Sequence, residues 1–286
     1  CILSGGLDVG LGTAKALLIQ ERLAAESLEV PVYTFARSSL EAGEAQAIQV
    51  GQICSQRPRA ILCAGALFHP RVFAELEAYQ REGGIVVSYD MPIPLACDQV
   101  IFDREDNAYQ AARYLLERGH RAIGIGMSRY PAWAEGAPYL PQTHRLRGFR
   151  RALAEFGLPL REEWVFLNGT YELGGEEMAR RFLALRERPT AVTIVNDYVA
   201  LAFMSEIVRA GLRVPEDVSI VSHDNQRVAL HCPVPLTAVT HPVDAIVRTT
   251  VELVRERMAG STAPPQRVVV RGDLVERQSV APPATR

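Results

Sequence analysis

Lysine is almost absent from this sequence of 286 residues, since Lys15 is the only one and the other basic side chains are arginines. The arginines are dispersed along the chain, and the formal net charge is only -2. A protein that binds nucleic acid or an anionic membrane over its surface carries clustered positive charge. We therefore expect this chain by itself to bind neither DNA nor a membrane.

Cysteine is scarce and shows no pairing pattern. The five cysteines form no Cys-x-x-Cys pair, and none has a histidine at metal-ligand spacing. Buried free thiols are the simplest interpretation, and an odd number of them favours a reducing compartment. No segment is long and apolar enough to span a bilayer, and no signal peptide is recognisable. These absences predict a cytoplasmic protein without a metal or another cofactor.

Short apolar runs alternate with longer amphipathic segments along the whole chain. "AILCAG" precedes a helical pattern at 72–82, and "AVTIVN" precedes another at 198–210. This alternation predicts parallel sheets covered by helices on both faces. About ten strands are too many for one open sheet, so two α/β subdomains are predicted. The closing segment "RVVVRGDLVERQSV" is read as a hairpin or as two short strands.

Polar side chains follow many of the predicted strands, where ligands bind in sheets of this kind. Arg145 opens the helical segment "RLRGFRRAL". Carboxylates, amides and a guanidinium together suit a polyhydroxylated ligand, because they both donate and accept hydrogen bonds. The polar strand-end residues are Asp8, Asp90, Asp103, Asp106, Asn196, Asp197, Asp224 and Asn225, and the aromatic candidates in nearby loops are Phe68, Trp133, Tyr139 and Tyr171.

The motifs of common enzymes are incomplete. In "GGLDVGLGTAK", Lys15 stands where a dinucleotide fingerprint needs its third glycine, and no phosphate loop is completed. Ser222 lacks the setting of a nucleophile elbow. His223 and Asp224 are neighbours in a predicted strand, so their side chains point to opposite sides. The sequence therefore predicts a binding protein rather than an enzyme.

Five segments, in this order, carry a family resemblance: "DREDNAYQAARYLLERGHRAIGIG", "RLRGFRRALAEFGLP", "AVTIVNDYVALAFMSEIVRAGLRVPEDVSIVSHDNQ", "PLTAVTHPV" and "RVVVRGDLVERQSVAPP". They resemble the effector-binding core of the lactose/galactose-repressor (LacI/GalR) family, from about Asp103 to the C-terminus. Two features depart from the family pattern. "LDVGLGTAK" replaces the usual Asn-Pro-Phe loop, and Ser222-His223-Asp224 replaces the usual Gly-Phe-Asp.

The resemblance implies two Rossmann-like subdomains joined by three crossovers, as in type I periplasmic binding proteins. The N-terminal subdomain would comprise 1–118 plus 239–262, and the C-terminal subdomain 119–238 plus 263–286. The effector would lie in the cleft between the subdomains, where the family motifs place Arg145, Asn196 and Asp224. With the strand-end and aromatic candidates added, the full set of predicted effector contacts is Asp8, Phe68, Asp106, Trp133, Arg145, Tyr171, Asn196 and Asp224.

The function implied by the resemblance is that of a ligand-sensing domain in a homodimeric transcriptional regulator. Its effector would be a sugar or a sugar derivative, and relatives also bind purines and nucleosides. Operator DNA would be bound only through a helix-turn-helix upstream of this sequence, because the chain opens directly on a strand pattern. Cleft closure around the effector would couple effector binding to DNA binding.

Two other functions stay open at this point. A secreted solute-binding protein of a transporter has the same architecture and would differ upstream, where it carries a signal peptide. A sugar-modifying or nucleotide-dependent α/β enzyme would need an activated nucleophile, a metal cluster or a phosphate loop. Turnover of a candidate sugar by the purified protein would favour the enzyme.

Overall fold

A computed structural model describes residues 1–4, 10–35, 40–64, 69–129, 140–169 and 171–284, and leaves out the side chains of 40–43 and 171–172. The described chain divides into two compact units. The first unit consists mainly of residues up to 102 together with 242–270. The second unit consists of 103–129, 142–241 and 271–284.

The first unit is built on a six-stranded sheet in which every pair of neighbouring strands is parallel. The strand order is β11-β5-β4-β3-β1-β2. The strands are β1 (Ile2–Ser4), β2 (Val32–Thr34), β3 (Ala60–Cys63), β4 (Ile85–Asp90), β5 (Asp98–Phe102) and β11 (Arg267–Val270), and the helices are α1 (Leu11–Ala24), α2 (Leu40–Ser55), α3 (Pro70–Arg81) and α9 (Val243–Met258).

The second unit repeats this layout with the strand order β12-β10-β9-β8-β6-β7. Its strands are parallel except at the edge, where β12 runs antiparallel to β10. The strands are β6 (Ile123–Ser128), β7 (Val165–Asn168), β8 (Ala191–Ile194), β9 (Ser219–Asp224), β10 (Thr237–Thr240) and β12 (Leu274–Val275), and the helices are α4 (Arg104–Glu117), α5 (Pro141–Glu155), α6 (Tyr171–Ala184), α7 (Asp197–Arg209) and α8 (Arg227–His231).

Each sheet separates two apolar cores, as the continuous apolar runs predict. Successive side chains of a strand point to opposite faces. Ile2 and Leu62 therefore pack into one core of the first unit, and Leu3 and Ile61 into the other. The predicted two-sheet α/β architecture is confirmed.

Two glycines and an aspartate mark the ends of helices α4 and α7. Gly119 and Gly211 follow α4 and α7 with φ of 96° and 90°, which a residue without a Cβ adopts at little cost. Asp103 caps α4 by accepting a hydrogen bond from the backbone N–H of Asp106 at 3.0 Å. Among the described residues, no helix combines the length and the apolar character that crossing a membrane requires.

The boundaries of the two units differ from the predicted 118 and 262. Helix α4 belongs to the second unit, because its residues Ala111 and Leu115 share a core with Val221 and Val239. Strand β11 belongs to the first unit, because it pairs in register with β5 from Arg267↔Gln99 to Val270↔Phe102. The closing segment is therefore two short strands in different sheets, and the hairpin interpretation is wrong.

Candidate functional site

Three neighbouring strands of the second unit end at one edge of its sheet. In the order β10-β9-β8, their carboxyl ends bring together His241, Asp224 and Asn196. Parallel strands place their C-terminal ends side by side, and the helices that follow begin there. Arg145 joins this group from α5, with only 7% of its surface exposed. We call Arg145, Asn196, Asp197, Asp224 and His241 the strand-end cluster.

The start of α7 holds two residues of the cluster. Asn196 has a φ of 79°, and its Oδ1 accepts hydrogen bonds from the backbone N–H groups of Tyr198 (2.9 Å) and Val199 (3.4 Å). Asn196 thereby caps the N-terminus of α7. Asp197 is fully buried, and its Oδ2 accepts a hydrogen bond from the backbone N–H of Gln226 at 2.5 Å. That bond ties α7 to the turn after β9.

Burial and the neighbouring charge of Asp224 raise the pKa of Asp197 to about 8. Burial alone would raise the pKa of Asp224 as well, but the adjacent His241 and Arg145 outweigh it and lower that pKa. His241 Nδ1 lies 3.7 Å from Asp224 Oδ1. Two carboxyl groups with opposite shifts therefore stand side by side, with Asp224 ionised and Asp197 protonated at neutral pH.

The turn after β9 has an unusual backbone. Asp224 and Asn225 have φ values of 98° and 56°, in a region where residues with a side chain rarely lie. Asn225 Nδ2 donates to Thr240 Oγ1 at 3.0 Å, and its Oδ1 accepts from Arg277 Nη2 at 2.5 Å. Arg277 Nη1 also donates to the carbonyl oxygen of Leu236. These contacts hold the turn in the conformation that presents Asp224.

His223 lies directly beneath the cluster and is fully buried. Burial, followed by the charge of Arg145, lowers the pKa of His223 to about 3, so its ring is neutral. Neither ring nitrogen has a hydrogen-bond partner. A buried neutral imidazole without a partner is not the base of a catalytic triad, in agreement with the sequence interpretation.

The strand-end cluster supplies carboxylate and amide acceptors and a guanidinium donor, a set that suits hydroxyl groups of a small molecule. No serine or cysteine nucleophile belongs to it. Among the described residues, no group of three or more histidine, cysteine, aspartate or glutamate side chains is placed to hold a metal ion.

The structure brings three of the predicted contacts, Arg145, Asn196 and Asp224, to one edge of the second unit. Asp106 lies in the first turn of α4, and its Oδ2 accepts a hydrogen bond from Gln110 Nε2 at 2.6 Å. Tyr171 is the first residue of α6, but its side chain lies outside the described part. Asp8, Phe68 and Trp133 also lie outside the described residues.

Sequence reasoning missed three contributors to this site. Asp197 is one of the polar strand-end candidates but is not among the predicted effector contacts, and neither His241 nor Arg277 is a candidate. "PLTAVTHPV" does end a predicted strand at His241, so that residue carried a usable signal. Arg277 carried none, because its contact with Asn225 joins residues far apart in the chain.

Residues 112–280 match the family described as periplasmic binding protein-like domain. The chain is also 29% identical over 236 residues to the HTH-type transcriptional repressor PurR of Yersinia pestis bv. Antiqua (strain Antiqua). That alignment covers 82% of this chain and 67% of the repressor. The similarity thus extends over most of both units.

Two solved structures share the fold. The transcriptional regulator CelR in complex with cellobiose superposes with a TM-score of 0.82 at 24% identity, covering 97% of this chain and 83% of that one. The lac repressor dimer bound to operator and the anti-inducer ONPF superposes with a TM-score of 0.83 at 21% identity, covering 98% and 93%. At these identities the likeness supports the fold.

Proposed function

Because the chain belongs to the periplasmic binding protein-like domain family and is the ligand-binding core of a LacI-family transcriptional regulator, we propose that it binds a small sugar-like effector. The effector contacts the strand-end cluster of the second unit. The observation that carries this proposal is the convergence of Arg145, Asn196 and Asp224 at three elements of one sheet edge.

The chemistry of the cluster supports a hydroxyl-rich ligand. Asp224 is ionised and accepts hydrogen bonds, and the protonated Asp197 does not add a second negative charge. Arg145 donates hydrogen bonds from its planar guanidinium group. Alternating donors and acceptors match a hydroxyl group, which both donates and accepts. A complex with cellobiose is known for CelR, which shares this fold.

The coupling to DNA is the finer part of the proposal and depends on the family resemblance. A helix-turn-helix preceding this core binds the operator in a homodimer, and the effector favours one mutual arrangement of the two subdomains. Effector and operator then change each other's affinity by the same factor. A ligand shifts this equilibrium only as far as its affinities for the two arrangements differ.

A thermal-shift screen with sugars and nucleobases identifies the effector. A ligand at a hundred times its dissociation constant adds about 2.7 kcal/mol to the free energy of unfolding. We expect a sugar or sugar derivative to raise the melting temperature. Stabilisation by nucleobases alone would show that the effector class is wrong.

Titration calorimetry then tests the site. Arg145→Ala removes a charged hydrogen-bond donor, so effector affinity should fall about 10- to 100-fold. Arg150→Ala is the matched control, because Arg150 lies in the same helix and its side chain is exposed in an ion pair with Glu162. Unchanged affinity in the Arg145 variant would remove the strand-end cluster as the site.

A further inference from the structure

Two carboxyl groups of the second unit lie side by side at the edge of its sheet. Asp224 ends strand β9, and Asp197 begins helix α7, which follows the neighbouring strand β8. The side chain of Asp224 is 10% exposed, whereas Asp197 is fully buried. Like charges repel strongly where little water screens them, so two carboxylates in one site do not both ionise readily. One of the two is therefore expected to keep a proton at neutral pH.

The contacts of Asp197 identify it as the group that keeps the proton. Its Oδ2 accepts one hydrogen bond, from the backbone N–H of Gln226 at 2.5 Å, and its Oδ1 has no hydrogen-bond partner. Arg277 donates instead to Asn225 Oδ1 and to the carbonyl oxygen of Leu236. A fully buried carboxylate with one hydrogen bond and no ion pair is costly, which favours the neutral acid.

Asp224 has the cations that Asp197 lacks. Burial opposes its ionisation, but His241, which lies 3.7 Å away between Nδ1 and Oδ1, and the charge of Arg145 outweigh burial and lower the pKa of Asp224. His223 beneath it is a neutral ring, because burial lowers its pKa to about 3. Asp224 is therefore the ionised member of the pair.

The remaining charges around Asp197 do not reverse this assignment. Burial and the charge of Asp224 raise the pKa of Asp197 to about 8, although the charge of Arg277 acts in the opposite direction. Cys232 lies directly after α8, and burial raises the pKa of its thiol to about 11, so it stays neutral. The pair thus carries one proton and one negative charge at neutral pH.

The first unit ends the corresponding strand in another way. Strand β4 holds the same place in its sheet as β9 holds in the second sheet, and it also ends in an aspartate, Asp90. Lys15 Nζ lies 2.9 Å from Asp90 Oδ2. In the first unit a lysine supplies the compensating charge, whereas in the second unit a proton on Asp197 keeps the total negative charge at one.

We propose that Asp197 and Asp224 act as a one-proton carboxyl pair and that the effector binds preferentially to the state that holds this proton, so that effector affinity falls in alkaline solution. This inference rests on the proposed function, and every group in it belongs to the second unit. An effector that covers the sheet edge excludes the water that screens the carboxylates, so a second negative charge costs more in the complex. The complex therefore keeps the proton to a higher pH than the free chain does.

The direction of the pH dependence follows from the proton count. Below about pH 8 the free chain already carries the proton on Asp197, so affinity is nearly independent of pH. Above that value the free chain has lost the proton and must take one up to bind, which weakens binding by up to about 10-fold per pH unit. We therefore expect the dissociation constant of the effector to rise by up to about 10-fold from pH 7 to pH 9.

Titration calorimetry on the unaltered 286-residue chain measures this dependence. A panel of neutral mono- and disaccharides that includes D-ribose and cellobiose is first screened for a thermal shift, and the stabilising sugar is titrated at pH 7 and pH 9. Repeating the titration at pH 9 in two buffers of different ionisation enthalpy gives the number of protons taken up on binding. We expect weaker binding at pH 9 together with the uptake of up to about one proton.

Asp197→Asn assigns the proton to this pair. Its affinity should vary little with pH, and its proton uptake at pH 9 should vanish. Asp217→Asn is the matched control and should keep both effects, because hydrogen bonds from Arg213 lower the pKa of this exposed carboxyl group to about 2. A folded Asp197→Asn that still takes up the proton would overturn the inference. Asp197→Ser also lacks a titratable group and takes its place if the asparagine variant does not fold.

The outcomes separate this inference from the proposed function. If the sugar binds with the same affinity at both pH values and without proton uptake, the carboxyl pair is not coupled to the effector, and the proposed function stands. This decision is made on the unaltered chain and needs no variant. If no sugar of the panel stabilises the chain, both proposals fail.

Discussion

The edges of the two sheets share a backbone plan and differ in their charges. At the first edge, Lys15 and Asp90 form one buried ion pair above the buried Tyr89. At the second edge, Asp224 is adjacent to Arg145, His241 and a second carboxyl group, and His223 lies beneath. The comparison shows that the topology places an aspartate and a cation at each edge, whereas the side chains that surround the aspartate differ between the two edges.

The Lys15–Asp90 ion pair at the first edge is buried, so removing its cation should have the largest effect. Lys15→Met leaves Asp90 buried without its ion-pair partner and should lower the free energy of unfolding by about 3–5 kcal/mol. Adding Asp90→Asn should recover part of this loss, because the uncompensated charge is then removed. Urea unfolding of the single and double variants measures both effects.

The matched control is Arg248→Met in α9 of the same unit. Arg248 forms an ion pair with Glu252 at 4.0 Å, and both side chains are more than half exposed. Its removal should cost about 0.5 kcal/mol or less. Equal losses in the Lys15 and Arg248 variants would mean that the Lys15–Asp90 pair is not buried in solution.

The second edge should make stability depend on pH through Asp197. Its pKa is about 8 in the folded protein, against an ordinary value of about 3.9 when unfolded. Between these values the folded state binds more protons than the unfolded state, so stability falls as pH rises. Asp197→Asn should remove a slope of up to about 1.4 kcal/mol per pH unit.

Urea unfolding at several values from pH 5 to pH 8 compares Asp197→Asn with the unaltered chain. Asp217→Asn is the control, because the Arg213 side chain lowers the pKa of this exposed carboxyl group to about 2 and it does not titrate in that window. Parallel slopes for the Asp197 variant and the unaltered chain would contradict a protonated Asp197.

The turn after β9 should be sensitive to a side chain at 225. Asn225→Ala loses the contacts with Arg277 and Thr240 and places alanine at a φ of 56°, so we expect a loss of about 2 kcal/mol. Asn225→Gly loses the same contacts without the conformational cost. Glycine should therefore be less destabilising than alanine in urea unfolding, and the reverse order would rule out a left-handed residue at 225.

The smallest effect is expected beneath the two edges, where Tyr89 and His223 occupy equivalent positions. His223 has two buried ring nitrogens without partners, and Tyr89 has one such hydroxyl group. His223→Phe should therefore raise the free energy of unfolding by about 1 kcal/mol, and Tyr89→Phe by less. A loss of stability in the His223 variant would show that its ring nitrogens are satisfied in solution.

Much of the candidate site could be predicted from residues adjacent in the sequence. Asn196 and Asp224 each follow a continuous apolar run, and this local pattern marks the end of a buried parallel strand. Lys15 could not be recognised in this way, because it lies in helix α1 and its partner Asp90 lies at the end of strand β4, far away in the sequence. The repeat of "VVSYD" in "IVSHD" was the one signal in the sequence that links the two edges.

The sequence by itself determined the two α/β units, the strand and helix alternation and the polar residues at strand ends, because these depend on local periodicity and turn chemistry. Only the tertiary structure decided that α4 belongs to the second unit and β11 to the first. It also decided that Lys15 forms an ion pair with Asp90 and that Arg277 donates a hydrogen bond to Asn225. These features depend on packing and charge pairing between residues that are distant in the chain, and a local sequence pattern does not contain that information.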